Sequence, residues 1–309
     1  MTQNPKASLI LPAGTQVVTL VPLAANTGFP ERPIGLVGKI INSPTDNNNS
    51  YLIQFPDGQE TNLKRHEIAI RKEVQTVKFS IPEEAVNERE LFQYIIYRCV
   101  VGSRAYGLSN DSSDVDVRGI YLPSADLQWS LFGVPDQIQK SDLDECFWEL
   151  EKFMSLALKA NPNILECLYT PLVQKATPLA QMLLNERQRF LSKLVYQTFN
   201  GYVLSQFRKL EQDLRTHGEL KNKHVMHLLR LLLTGTIILR EHRVPVVVGE
   251  HRDALLAVRN GDMPWEDANK WRLELHKIFD QAYETTTLPD RPDYTWANSF
   301  LINARRQMI

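Results

Sequence analysis

The chain is short of cysteine, of net charge and of long apolar runs, and each shortage excludes a class of protein. Only three of the 309 residues are cysteine, namely Cys99, Cys146 and Cys167. They form no Cys-x-x-Cys pair and none stands beside a histidine. A disulfide framework and a cysteine-built zinc centre are therefore excluded, and buried thiols in a reducing compartment are expected. The formal net charge is −1. That excludes a protein that coats nucleic acid by bulk charge, although it leaves room for a local basic face. The longest apolar run, Leu228–Leu239, is interrupted by Arg230, Thr234 and Thr236 and is too short to span a bilayer. No basic stretch followed by an apolar core opens the chain, so no signal peptide is expected and the expected location is cytoplasmic, without membrane contact. A phosphate-binding loop ending in Gly-Lys-Ser/Thr, a Gly-x-Ser-x-Gly elbow and a dinucleotide glycine fingerprint are all missing.

What is present begins with a β-rich stretch. Thr15–Val21 alternates apolar and polar residues as a half-buried strand does. Leu36–Ile41, Tyr51–Phe55, Thr61–Leu63 and Glu67–Arg71 are further strand candidates, with Pro56-Asp57-Gly58 as a turn and Asp46–Asn49 as an exposed loop. Short strands at this spacing predict an SH3-like barrel. A helix is expected from Pro82 to Leu91, then a strand, Tyr94–Val101, apolar on both faces as in a covered sheet. Asp114–Leu122 and Asp144–Leu150 are the next strand candidates, the latter grading into a helix that ends at Asn161-Pro162. From Pro178 onward the spacing is helical over 179–199, 202–215, 219–242, 264–283 and 293–306, with a short strand candidate at Pro245–Gly249.

The chemistry centres on Gly102-Ser103 and Asp114-Val115-Asp116. A strand that ends in Gly-Ser and turns into a helix exposes backbone N–H groups beside a hydroxyl, a setting suited to phosphates. Glycine lets a triphosphate approach the backbone closely, so Gly102 and Ser103 are assigned to the β- and γ-phosphates. Residues two apart on a strand share a face. Asp114 and Asp116 are then expected to project together while Val115 and Val117 enter the core. Paired carboxylates repel unless a cation lies between them. A hard divalent ion, Mg²⁺ with Mn²⁺ as the substitute, satisfies them and also binds triphosphate oxygens. With a second ion and a third carboxylate such a site activates a hydroxyl and neutralises leaving pyrophosphate. Arg104 and Arg118 stand close enough in sequence to add positive charge for the phosphates.

The order Gly-Ser, short helix, turn and Asp-x-Asp strand resembles the signature of polymerase-β-type nucleotidyltransferases. Gly-Ser or Asp-x-Asp alone would carry little weight; their ordered combination is specific. Gly102–Leu108 followed by Ser113–Gly119 resembles a narrower group, the bacterial and phage predicted nucleotidyltransferases of the RNA-repair-pathway polymerase-β family. Lys152 to Asn163 with Glu166, and Lys223 to Leu231, look similar to that group too, so the resemblance covers about 90–305 and leaves out the barrel.

The expected fold is α+β: strand spacing predicts the N-terminal SH3-like β barrel (1–77), helical spacing predicts an all-helical C-terminal domain (176–309), and the resemblance implies a nucleotidyltransferase core with a mixed sheet (78–175). The resemblance also implies a third carboxylate on the strand after Asp-x-Asp. Asp144 is the choice, with Asp142, Glu145 and Glu149 as competitors. His224, Arg230 and Lys152 are implied nucleotide contacts, with Glu166 a secondary candidate. His224 and His227 lack a third ligand at zinc spacing. The stretch 187–243 holds eleven lysines and arginines against four aspartates and glutamates, a local positive excess suited to a triphosphate tail or a nucleic-acid acceptor. The expected reaction moves a nucleoside monophosphate from an NTP to an acceptor hydroxyl and releases pyrophosphate. The favoured acceptor is an RNA end; the alternatives are a protein hydroxyl or a non-catalytic nucleotide- or RNA-binding regulator.

Overall fold

Alternation in the first seventy residues does produce strands. The computed structural model describes residues 10–25, 30–46, 49–76, 88–110, 113–140 and 143–309, and the chain divides at Pro82 into two compact units. In the first unit β1 (Gln16–Thr19), β2 (Val37–Asn42), β3 (Tyr51–Gln54), β4 (Glu60–Leu63) and β5 (Ile68–Ile70) form one antiparallel sheet in the order β4-β3-β2-β1-β5. Its core is Val17, Ile40, Tyr51, Ile53, Phe55, Leu63 and Ile68. The turn expected at Pro56–Gly58 is there, with Gly58 at φ +87° and its N–H on the Phe55 carbonyl at 3.0 Å. The closed barrel is not what the pairing shows: among the described residues no ladder joins the edge strands β4 and β5, which a 3₁₀ turn at Arg65–Glu67 connects instead. The last strand also stops early, because Arg71 opens α1 (Arg71–Thr76).

The second unit starts, among the described residues, at α2 (Glu88–Leu91); most of the helix expected from Pro82 lies outside them. Then come β6 (Ile95–Val101), α3 (Gly102–Tyr106), β7 (Asp116–Tyr121), α4 (Ala125–Trp129), β8 (Gln137–Lys140) and β9 (Glu145–Glu149). They are followed by α5 (Leu150–Leu158), α6 (Pro162–Tyr169) and β10 (Val173–Ala176). The sheet order is β10-β6-β7-β9-β8, with β7 and β9 parallel and every other pair antiparallel, so the expected mixed sheet is present. Five of the seven β6 residues are buried, as a doubly covered strand requires. β8 and β10 had no sequence expectation; β10 is exposed along its whole length and carries no apolar alternation.

Local chemistry sets the joints. The Glu149 carboxylate caps α5 by accepting from the Glu151 N–H at 2.7 Å. The Asn161 side chain caps α6, with Pro162 in its first turn. The helical remainder is α7 (Pro178–Asn185), α8 (Leu194–His217), α9 (Asn222–Glu241), α10 (Arg252–Asn260), α11 (Trp265–Thr285) and α12 (Tyr294–Arg306). The helix expected over 179–199 breaks at a 3₁₀ turn, Arg187–Phe190, and α8 instead runs unbroken through Gly201. Its buried face continues on both sides of that glycine through Val195, Phe199, Val203 and Leu210. No strand forms at Pro245–Gly249, and α10 follows where no helix was expected. α9 is the axis of this half, buried almost all round from Val225 to Leu239. At Gly235 a β-carbon would stand 2.7 Å from the Phe279 ring, so the missing side chain lets α11 pack close. One hydrophobic cluster runs from β6 through α12. The three cysteines are free and buried, and no helix among the described residues is long and apolar enough to cross a membrane.

Candidate active site

The candidate site forms where β6, β7 and β9 end together. β6 delivers Gly102 at φ +71°, and any β-carbon there would overlap the Asp116 carboxylate, so glycine is required on two counts. α3 is a single turn, closed by Gly107 in the left-handed region and by the Leu108 N–H on the Ser103 carbonyl at 2.9 Å. With only five residues it builds little helix dipole. The Ser103 hydroxyl and local N–H groups are what it offers.

Asp116 opens β7 opposite Val101. Asp114 precedes the strand, and Val115 is 40% exposed rather than in the core. Strand alternation therefore does not place Asp114; Arg104 holds that loop, donating from Nη2 to the Ser113 carbonyl at 2.9 Å and from Nε to the Asp114 carbonyl at 3.4 Å.

The register of β7 on β9, Val117 beside Glu145, carries Asp116 next to Asp144 one step earlier. The two side chains lie against each other. Burial, then this contact and the Asp144 charge, push the Asp116 carboxyl up to about 6, against Arg118 and Lys223. The same contact and Arg118 hold Asp144 below its ordinary value. Arg118 braces the pair: its Nη2 lies 3.0 Å from Asp144 and 3.6 Å from Asp116, and its Nη1 donates to the Asp144 carbonyl at 2.6 Å. Asp144 itself sits at φ +47°, a conformation aspartate tolerates better than most residues. The competing carboxylates are engaged elsewhere. Glu145 is buried against Arg98, and Glu149 caps α5 beside Arg305; Asp142 lies outside the described residues.

A cavity of about 430 Å³ is lined by Gly102, Ser103, Asp114, Asp116 and Asp144 together with Lys223, His227 and Arg259. Tyr106, Leu108 and Met226 also line it. Burial and the neighbouring Arg230 and Lys223 charges push the His227 imidazole down to about 3, so it is neutral. Arg259 donates to the Leu108 carbonyl at 2.6 Å while bordering the cavity.

Other expected residues stand apart. Lys152 pairs with Asp136 at 3.1 Å on the surface. The His224 Nδ1 lies 2.6 Å from Asp213. Arg230 is buried, paired with Glu166, with its guanidinium 3.8 Å over the Tyr106 ring. None of these three lines the cavity. Lys223, His227 and Arg259 line the cavity but were not among the residues expected there. The first two share a face of α9 with Met226 at helical spacing, but spacing alone does not say which face meets the cavity. Arg259 lies on the unexpected α10 and left no signal.

The donor set suits a hard cation, since three carboxylates border one cavity. Among the described residues no three Asp, Glu, His or Cys side chains converge closely enough to hold an ion by themselves. Magnesium is commonly held by one or two carboxylates with substrate phosphates and water completing the shell, so the adjacent Asp116–Asp144 pair fits it.

The chain matches the family model of the RNA repair pathway DNA polymerase beta family (RlaP) over residues 70–303. It is also similar to the uncharacterized protein YcgL of Bacillus subtilis (strain 168), 31% identical over 157 residues. That similarity covers 49% of this chain and 58% of the relative, so the chain spans less than two thirds of that relative's length. The family match covers most of the chain, and the chain belongs to the RNA repair pathway DNA polymerase beta family.

Proposed function

We propose that this member of the RNA repair pathway DNA polymerase beta family is a metal-dependent nucleotidyltransferase that moves a nucleoside monophosphate from an NTP to an acceptor hydroxyl, an RNA end. The observation that carries the reading is the cavity that Gly102-Ser103 and the adjacent Asp116–Asp144 pair line together with Lys223 and Arg259.

The Ser103 hydroxyl and the backbone at Gly102 hold the β- and γ-phosphates, and Lys223 and Arg259 in the same cavity offset their charge. Asp114, Asp116 and Asp144 would hold Mg²⁺ or Mn²⁺, which when bound neutralises charge on the phosphates. Arg118 orients the carboxylate pair. As the acceptor oxygen bonds to the α-phosphorus, the bond to the bridging oxygen breaks and pyrophosphate leaves. The acceptor proton passes to the Asp116–Asp144 pair, whose mutual contact and burial hold Asp116 up to about 6. Arg104 acts through the 113–114 loop. Positioning and charge neutralisation supply the rate, as in phosphoryl transfer generally. We assign the chemistry to the stretch 78–175 and the basic part of the lining to 176–309. The basic excess over 187–243 supports RNA as the acceptor.

The test uses α-labelled ATP, GTP, CTP and UTP with Mg²⁺ or Mn²⁺ and a total-cell extract of RNA and protein, comparing the wild type with Asp116→Ala/Asp144→Ala. Label in RNA that vanishes in the variant is expected. Label in a protein band would move the acceptor to protein. Triphosphate binding without label under every condition would leave a binding or regulatory role.

A further inference from the structure

α3 is one turn long, and a helix that short does not hold its own orientation. Something outside it must fix how Ser103 faces the cavity. Its last residue, Tyr106, is anchored more firmly than any other part of the turn. The Tyr106 hydroxyl donates to one Glu166 oxygen on α6, and the other Glu166 oxygen accepts from Arg230 on α9. The Arg230 guanidinium also lies 3.8 Å over the Tyr106 ring, closing a three-membered contact. All three residues are at most 6% exposed, so the attraction acts in a low-dielectric interior. The Tyr106 carbonyl is tied as well, accepting from the Val248 N–H at 3.1 Å. Glu166 and Arg230 neutralise each other, and the Arg230 Nε finds no partner among the described residues. Tyr106 meanwhile lines the cavity beside Gly102 and Ser103, whereas Glu166 and Arg230 do not.

We infer that Glu166 and Arg230 are positioning residues for the triphosphate subsite: they clamp Tyr106 and through it set the orientation of Ser103. The inference rests on the nucleotide reading above. It gives Arg230 a part in nucleotide affinity with no contact to the nucleotide. A planar guanidinium is needed, because a lysine ammonium that pairs with Glu166 cannot also lie flat on the ring.

Isothermal titration with the α,β-methylene analogue of ATP and Mg²⁺, with the GTP, CTP and UTP analogues in parallel, tests it on the wild type, Tyr106→Phe and Arg230→Lys. Tyr106→Phe keeps the ring and loses one hydroxyl. Both variants are expected to bind at full stoichiometry with Kd raised about tenfold, the scale of one buried hydrogen bond to a charged group. An unchanged Kd in Tyr106→Phe overturns the inference while leaving the nucleotide site standing. Reduced stoichiometry with an unchanged Kd also overturns it, because the network would then only keep the protein folded. A wild type that binds none of the four analogues removes the nucleotide reading itself and the inference with it.

Discussion

The molecule contains two five-stranded sheets that treat charge in opposite ways. In the first, all pairs are antiparallel, one face feeds a small apolar core, and the Arg32–Asp57 ion pair stands at the surface. In the second, the mixed order brings β6, β7 and β9 to a common end, and carboxylates lie inside: Glu145 and Glu149 are buried and Asp116 is half-buried. Burying a carboxylate is costly unless it is paired or capped. Glu145 has Arg98, and Glu149 has the α5 N-terminus with Arg305. Asp116 and Asp144 are different, since each lies against the other with Arg118 beside both. A sheet built only to pack has no reason to hold such a like-charge pair at a cavity, and the contrast separates the paired and capped carboxylates from the candidate catalytic ones.

The strongest way to break the contrast is Asp144→Asn, which leaves Asp116 without its charged neighbour and breaks the pair that takes the acceptor proton. Label transfer should fall roughly 10³-fold, with the fold unchanged by circular dichroism; near-normal transfer would return the third-carboxylate role to another residue.

Gly102→Ala comes next. The added methyl meets the Asp116 carboxylate at a strained φ, and transfer should drop about 100-fold. Gly58→Ala in the first sheet has open space around it; it should cost only about 1 kcal/mol in denaturant unfolding, with transfer intact.

Glu145→Gln tests the opposite assignment. It should cost about 2 kcal/mol of stability, discounted because Arg98 is 31% exposed, while kcat stays within about twofold.

His227 gives a smaller, pH-dependent effect. Its imidazole stays neutral down to about 3 in the folded protein, whereas the unfolded chain takes up a proton near pH 6.5. Between those values the unfolded state binds more protons, so this residue makes stability fall as pH falls. Urea unfolding of His227→Gln should show a shallower acid loss, by roughly 1–2 kcal/mol between pH 6.5 and 5.

Arg32→Ala, at the first sheet's surface pair, should leave the unfolding midpoint and label transfer where they were. A clear loss there would undo the comparison from its other side.

Much of this was legible in the residues, for a physical reason. The Gly-Ser turn and the Asp-x-Asp stretch are local features, and local geometry follows local sequence. α9, α11 and α12 were readable because apolar residues repeat at the helical period, and β6 because it is apolar on both faces. α10 was not expected, β10 carries no apolar alternation, and α8 concealed its length behind a glycine that its packing tolerates. The same limit applied to Asp114, where alternation was extended two residues past the true start of β7.

By itself the sequence determined the family, the mixed α+β character of the second unit, and Asp116 with Gly102-Ser103 as the centre of the candidate site, because those depend on residue type and short spacing. Tertiary structure alone decided that Asp144, rather than Glu145 or Glu149, stands beside Asp116, since one residue of register between parallel strands makes that choice. It alone turned Lys223 and His227 toward the cavity, brought Arg259 in from α10, and set Arg230 behind Tyr106. Those contacts join residues more than a hundred positions apart, and no spacing within a single element encodes them.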